Sequence, residues 1–380
     1  MIVSLLLLAA VSAMPAARSK PDPYAAVAAL VERGIRQGVY PGAVVVIGRR
    51  DKVLYSRGFG HLTWARNAPK PSPTTTLWDL ASLTKVMATT SSVMVLVDRG
   101  TVLLDAPVAL YLPRFVGGGR ERVTVRMLLD HTSGLPAYLA FHRLVTTRDS
   151  AVELLYRQPL VREPGQSELY SDLNAIILGL LVEAVSSESL DAFAAREVML
   201  PLGLTRTVFA PGIGRSASVA PSRKVGGRPA AGRVNDDNAF LFGGVAGQAG
   251  LFSTGSDVAR FAQHWLREGS VDSGHWVAPE TMQEFLRRSS PAGSPGGRAL
   301  GWDTPTVGGD GPSIYGIRAG PLTFGHTGWT GTMVWIDPAR DLFMVFLTNR
   351  SLDPRARRSL SAMRDIRSAL SNLVLASAGR

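Results

Sequence analysis

Two hydrophobic periods divide the chain. Residues 40–60, YPGAVVVIGRRDKVLYSRGFG, set two apolar, β-branched runs on either side of the polar turn Arg49-Arg50-Asp51-Lys52, the pattern of a hairpin. GTMVWID (331–337) and DLFMVFLTN (341–349) repeat it near the other end, across Pro338-Ala339-Arg340. Between the hairpins the spacing is helical. After a Pro/Thr-rich loop at 69–76, a helix carries Val86, Met94, Leu96 and Val97 and stops at Asp98-Arg99-Gly100. Residues 107–200 read mostly as helix, broken at HTSGLP (131–136) and REPGQSELYSD (162–172). Stretches rich in Gly, Pro and Ser at about 211–250 and 289–320 read as loops. The last helix places Leu360, Met363, Ile366, Leu370 and Leu373 on one stripe. With its arginines the stripe would suit a membrane surface, but packing on a sheet is the simpler role and the one expected here.

Strands at both ends and helices between them predict an α+β fold: an antiparallel sheet built from both chain termini, flanked by helices, plus a mostly helical insertion domain. The expected division is 24–105 with 315–380 for the sheet domain and 106–314 for the insertion, with a site in the cleft between them. No internal repeat interrupts this scheme.

Composition narrows the chemistry. With 46% hydrophobic and 19% charged residues in 380, the chain has ample material for a core. Its net charge of +11 rests on arginine, since only five of the 41 basic residues are lysine. The arginines are scattered, without basic runs or interleaved aromatics, which argues against nucleic acid and leaves anionic surfaces such as membrane or cell wall open as neighbours. There is no cysteine, and the six histidines form no i, i+4 pair, so no metal or other cofactor is expected. Ile2 to Ala13 is an apolar run ending in Val11-Ser12-Ala13 ahead of Pro15, Pro21 and Pro23. That fits a secretory signal over residues 1–17, although no basic residue precedes it; an N-terminal anchor is the alternative. Export to the periplasm or medium is the expectation.

Ser82 and Lys85 lie three apart at the start of a helix, on one face. A serine hydroxyl needs a base, and a lysine with pKa about 10.4 becomes one only when desolvated or set beside other positive charge. A helix N-terminus supplies some of that field and can hold an oxyanion. Alone, the spacing favours the plainer reading, Ser82 as a helix cap and Lys85 as a solvated side chain. Further features accompany it. Tyr170-Ser171-Asp172 opens a helix, where Ser171 or Asp172 would serve as N-cap. His326-Thr327-Gly328 stands just before the late hairpin. GGVAGQAGLFSTGSDVARF (243–261) runs a glycine-rich loop into a helix capped near Ser256. That loop lacks the Gly-Lys-Ser/Thr of a phosphate site, and no Gly-x-Ser-x-Gly elbow occurs.

Taken in order, Ser82-x-x-Lys85, Tyr170-x-Asp172 and His326-Thr327-Gly328 resemble the ordered motifs of the penicillin-recognising serine hydrolases, which include class C β-lactamases, D-Ala-D-Ala carboxypeptidases and related esterases. WDLASLTKVMATTSSVMVLVDRGTVLLDAPVALYLPRF, VTVRMLLDHTSGLP, YSDLNAIILGLLVE, GGVAGQAGLFST and FGHTGWTGTMVWIDP resemble blocks of that family over most of residues 25–375. The resemblance implies a beta-lactamase/transpeptidase-like fold. It implies Ser82 as acylated nucleophile, Lys85 as its proton partner and Tyr170 as a general base relaying protons. His326 and Thr327, followed by Gly328, would bind the substrate carboxylate or carbonyl. The N–H groups of Ser82 and Trp329 would form the oxyanion hole. The chemistry implied is metal-free acyl transfer on a small-molecule or peptidoglycan-type substrate. Two positions depart from the β-lactamase pattern. His326 replaces a lysine and, being partly neutral at pH 7, weakens the pull on a carboxylate, favouring esters, amides or peptides over penicillins. Asp172 replaces a frequent asparagine; ionised, it only accepts hydrogen bonds, so it either holds Lys85 protonated or caps the helix. Asn174, two residues on, is expected to point elsewhere. The alternatives to an acyl-transfer enzyme are a non-catalytic binding or sensing domain, or a filament-forming protein, on the same fold.

Overall fold

A computed structural model describes residues 22–212, 218–271, 274–289, 297–305 and 313–377. The expected signal segment at 1–17 lies outside them. The first hairpin forms as β1 (Gly42–Arg49) and β2 (Lys52–Gly60), with Arg49 paired to Lys52 so that Arg50-Asp51 is the turn. From the other end come β3 (Phe324–Thr327), β4 (Met333–Asp337) and β5 (Leu342–Thr348). They join one antiparallel sheet in the order β3-β4-β5-β1-β2, with Ala43 opposite Thr348 and Gly48 opposite Phe343. Strands from the two ends of the chain thus meet at the centre of the sheet, and β3 lies on an edge.

The near-continuous apolar runs have a simple cause: β1, β4 and β5 are covered on both faces. Ala43, Val45 and Ile47 join Met333, Trp335, Met344 and Phe346 in one core against α1 (Ala25–Arg36) and the last helix. Val44 and Val46 face the other core with Val334, Val345 and Leu347. Alternation of side chains along a strand sends odd and even positions to opposite layers.

Three further helices position the site. The segment after Ser82 enters as a π-helical turn (Lys85–Thr90) and continues as α2 (Ser91–Asp98), ending where Gly100 takes φ +68°. Next is α3 (Asp172–Ser186), capped by Ser171. The glycine-rich loop leads through Leu251–Ser253 into α4 (Gly255–Leu266), whose cap is Thr254, accepting from Asp257 N at 3.2 Å, rather than Ser256. Ser256, in the first turn, donates its own N–H to the Pro73 carbonyl. Although α4 falls inside the stretch expected to be insertion, its apolar face lies in the core shared with Val44, Val334 and Val345. The sheet's second cover is therefore drawn from the middle of the chain. The final helix is α5 (Ser359–Ser377); Met363, Ile366 and Leu370 pack on the sheet, whereas Leu360 stays exposed.

Candidate active site

Ser82 is placed by a short, tightly held bend. Trp78–Asp79 pairs with Leu251–Ser253, and Leu80 N donates to the Leu251 carbonyl at 3.0 Å. Asp79, buried beneath the bend, accepts from Ala81 N at 3.0 Å, Ser222 Oγ at 3.0 Å and Asn235 N at 2.6 Å. Burial pushes its carboxyl up to about 6 against those three hydrogen bonds, with Asp236 adding a smaller push. Ala81 takes φ +47°, a left-handed conformation that is costly for a residue with a Cβ and is frequent at functional sites. The far hairpin clamps the same bend: Thr330 Oγ1 donates to the Asp79 carbonyl at 2.7 Å, and Thr332 Oγ1 to the Leu80 carbonyl at 2.9 Å. Gly328 must be glycine here, because a Cβ would lie 2.2 Å from Thr332 Oγ1 and 2.5 Å from the Leu80 carbonyl oxygen. Among the described residues, the N–H groups of Ser82 and Trp329 donate to no backbone carbonyl. Both remain open for an oxyanion.

One helical turn on, Lys85 is 3% exposed, and its three N–H bonds have three partners. Nζ lies 3.0 Å from Ser82 Oγ, 2.7 Å from Asp172 Oδ1 and 3.3 Å from the Gln248 carbonyl. Burial, the largest single influence, pulls the amine down, but the Asp172 carboxylate and Tyr170 outweigh it and hold Lys85 above the ordinary lysine value. Of the two roles open to Asp172, the geometry selects the ion pair. The cap is left to Ser171, whose Oγ accepts from Leu173 N at 3.2 Å.

Tyr170 precedes this cap. Its hydroxyl interacts with Ser82 and Lys85, and burial pushes it above the usual phenol value against the pull of the Lys85 charge, so it rests as a neutral phenol. The ring is fixed by His131, with centroids 4.7 Å apart, and by His326, at 5.8 Å. His131 Nδ1 accepts from Ser171 N at 3.2 Å and faces Asn174 Nδ2 at 3.0 Å. Asn174 is wholly buried and, as expected, points away from the cleft. HTSGLP read as a helix break at the end of a family block, with no role for its histidine, yet His131 holds the Tyr170 segment in place.

The glycine-rich loop does not cradle phosphate. Gly247 packs so closely on α3 that a Cβ would lie 1.8 Å from the Ala175 carbonyl oxygen. That approach presents the Gly247 carbonyl to Thr89 Oγ1 at 2.7 Å and the Gln248 carbonyl to Lys85.

Opposite, His326 and Thr327 stand on edge strand β3. His326 Nδ1 is 2.9 Å from the Thr327 carbonyl, which can only accept, so Nδ1 carries the proton and Nε2 presents a buried lone pair with no protein partner. Burial drives the imidazole down to about 4, with Asp303 opposing and Arg298 and Lys85 assisting. The ring is neutral at pH 7, beyond the partial neutrality expected from the sequence. A guanidinium stands near this ring, paired within the fold. Arg298, 8% exposed, pairs with Asp303, lies 3.6 Å from Glu168 and sits 5.5 Å over the Tyr170 ring. Its Nε and Nη2 are buried without partners. Nothing in the sequence marks it, an arginine in a Gly/Pro/Ser loop among many others. Arg367, from α5, braces Gly328 and Thr332 through their carbonyls at 2.8 Å each. Arg350 donates to the Trp329 carbonyl at 3.1 Å and lies over the Trp329 ring, itself largely exposed.

These groups line a single cleft of about 890 Å³ that includes Ser82, Tyr170, Asp172, Arg298, His326, Thr327, Gly328 and Trp329. It can hold a carbonyl beside a serine oxygen, between two free N–H groups, with a phenol and an ammonium alongside and a guanidinium near its far end.

Comparison with known proteins identifies relatives and the family. The chain is 30% identical to a protein of Escherichia coli (strain K12) named for D-alanyl-D-alanine carboxypeptidase activity, covering 86% of this chain and 83% of that one. It is 31% identical to an N-acetylmuramyl-L-alanine amidase of Bacillus subtilis (strain 168), covering 86% and 80%. Among solved structures, EstCE1, a hydrolase with promiscuous acyltransferase activity, superposes with a TM-score of 0.72 at 22% identity over 90% of this chain and 98% of that one, a likeness of fold. The beta-lactamase family profile matches residues 27–366, and the chain belongs to the beta-lactamase family.

Proposed function

We propose that the protein is a serine hydrolase working through an acyl-enzyme, on a D-Ala-D-Ala-type peptide, a β-lactam or a related ester. The observation that carries the reading is Ser82 Oγ held 3.0 Å from the Lys85 ammonium, beside the Tyr170 phenol and two unspent N–H groups. In this mechanism Ser82 attacks the substrate carbonyl while its proton passes to Tyr170 Oη, and Tyr170 hands its own proton to the leaving group. A neutral phenol suits such a relay because it accepts and donates at one atom. Lys85, kept charged by Asp172, steadies the negative charge that develops on Ser82 and Tyr170. The Ser82 and Trp329 N–H groups receive the carbonyl oxygen. Water then repeats the sequence in reverse and frees the enzyme.

Arg298, which lines the cleft, supports a preference for substrates ending in a carboxylate, since a guanidinium suits a planar anion better than an ester alkyl group. His326 Nε2 and Thr327 would orient the neighbouring amide. A small-ester esterase of the same fold is the second reading; the exposed Trp329 and Leu360 at the cleft mouth favour it. The apolar segment 2–13 supports export, a reading under which a peptidoglycan-type substrate is within reach. Replacing Ser82 with alanine tests the mechanism: hydrolysis of p-nitrophenyl esters is expected to fall by about three orders of magnitude or more, and retained hydrolysis overturns the reading.

A further inference from the structure

The peptide unit joining Gly328 to Trp329 carries one of the two unspent N–H groups at one end and the Gly328 carbonyl at the other. That carbonyl is doubly engaged. It accepts from Gly331 N at 3.0 Å, in the turn between β3 and β4, and from Arg367 Nη2 at 2.8 Å. The same Nη2 reaches the Thr332 carbonyl at 2.8 Å, and Thr332 in turn holds the Ser82 bend through the Leu80 carbonyl. Arg367 comes to this turn from α5, 39 positions beyond Gly328. Among the described residues no carboxylate forms an ion pair with it, and Asp303, whose charge acts on it from further off, is itself paired with Arg298. Burial, with Arg350 assisting, pulls the guanidinium down to about 10, so it stays charged at pH 7. Its Nε is buried with no partner. A desolvated cation without a counter-ion and a buried nitrogen without an acceptor both work against stability. Bracing two carbonyls needs only a neutral donor, so the charge calls for a separate account.

A trans peptide points its C=O and N–H in opposite directions, which sets the guanidinium behind the unit whose N–H opens on the cleft. A hydrogen bond to the peptide oxygen polarises the unit and strengthens the bond that its N–H donates. Arg350 grips the next unit instead, through the Trp329 carbonyl. Laid end to end, the 2.8 Å contact, the peptide unit and the N–H bond to a ligand oxygen span about 8 Å. A unit charge at that distance, at an effective dielectric of ~20, changes the energy of a full oxyanion by an amount equivalent to about 30-fold in rate.

We propose that Arg367 is a positioning residue of the oxyanion hole: through the Gly328 carbonyl its guanidinium polarises the Trp329 N–H, which then holds the oxyanion of the tetrahedral adduct on Ser82. The proposal rests on the serine-hydrolase reading and adds to it a residue that touches no reacting atom. The oxyanion is fully charged only around the transition state, so the effect falls on acylation and not on substrate binding.

Single-turnover kinetics with a p-nitrophenyl ester separate the two quantities. Arg367→Gln keeps a neutral donor for the Gly328 carbonyl and removes the charge. It is expected to slow acylation by about 10- to 50-fold while Kd stays within about twofold of wild type. Arg367→Lys retains the charge and is expected to remain within about fivefold of wild type. The infrared band of an isotope-labelled acyl carbonyl on Ser82 supplies a readout that bracing alone would not move. Weaker polarisation raises its frequency in Arg367→Gln, and Arg367→Lys returns it towards the wild-type position. An unshifted band, or acylation within twofold of wild type, in a folded Arg367→Gln overturns the proposal. So does a folded Arg367→Lys whose rate and band depart as far as those expected for glutamine, a criterion that stands even where the neutral variant does not fold. Absence of any acyl group on Ser82 in the wild type overturns the serine-hydrolase reading itself, so the two failures are distinguishable.

Discussion

Replacing Asp172 with asparagine isolates the charge that keeps Lys85 protonated. The pair spans 2.7 Å, with the lysine side chain 4% and the aspartate 22% exposed. At an effective dielectric of ~20 the bare attraction at that distance is about 6 kcal/mol. The cost of keeping both ions out of water cancels part of it, and the ~3–5 kcal/mol lost when one partner of a fully buried pair is removed falls here to about 2–4 kcal/mol because Asp172 is partly exposed. Asparagine preserves shape and leaves the Ser171 cap intact, so charge is the main change. In the wild type Lys85 is held above its ordinary value, and its stabilisation is present in full below the unfolded lysine pKa of about 10.4. In the variant, burial, the largest influence on Lys85, acts with less opposition and its pKa falls below the unfolded value. The unfolded chain then binds more protons than the folded one, so the variant gains stability as pH rises through the interval between the two values. Chemical denaturation of both proteins at several pH values between 6 and 10 reads this directly. At pH 7 the variant is expected to lie about 2–4 kcal/mol below wild type, or about 3–5 °C in Tm for 380 residues at ~2 cal/mol/K per residue. The gap should narrow towards pH 10. A loss under about 0.5 kcal/mol, the range of a surface pair, or a gap constant with pH, would refute this account of Lys85.

Two other expectations concern the β3 side. Arg298→Gln removes the cation proposed to meet a substrate carboxylate; KM for a D-Ala-D-Ala peptide is expected to rise about 10- to 100-fold relative to that of its C-terminal methyl ester. An equal loss on both substrates would place Arg298 in the scaffold alone. His326, lowered to about 4 chiefly by burial, stays neutral from pH 7 down to about 5, so kcat/KM for a neutral ester should show no histidine step there. Because its folded value is depressed, protonation of His326 opposes folding as pH drops from about 6.5 towards 4, and stability should decline over that window. A bell-shaped profile with an acid limb near 6.5 that His326→Gln removes would contradict the neutral assignment.

The hairpins were legible because alternation, turn residues and β-branched content are local properties. Ser82, Lys85, Tyr170 and His326 were legible for a different reason: they stand in an order that carries meaning together, although none is informative alone. Asp172 could be narrowed to two roles but not decided, since an N-cap and an ion pair look the same in sequence. Arg298, His131 and Gln248 were not legible. Each meets the site across a large sequence separation, Gln248 reaching Lys85 163 positions away, and each lies in a loop or glycine-rich stretch with no period to read. The Thr254 cap lies two residues before Ser256, in the run Ser253-Thr254-Gly255-Ser256-Asp257 where several residue types could cap and the sequence alone does not choose.

Acid-quenched intact-mass spectrometry with peptide mapping, after mixing with a penicillin and, separately, with a p-nitrophenyl ester, tests the central claim most directly. The account predicts one acyl group per chain, on the peptide containing Ser82, from at least one of the two reagents. An acyl group on any other residue, or none from either reagent while ester hydrolysis proceeds, would contradict it.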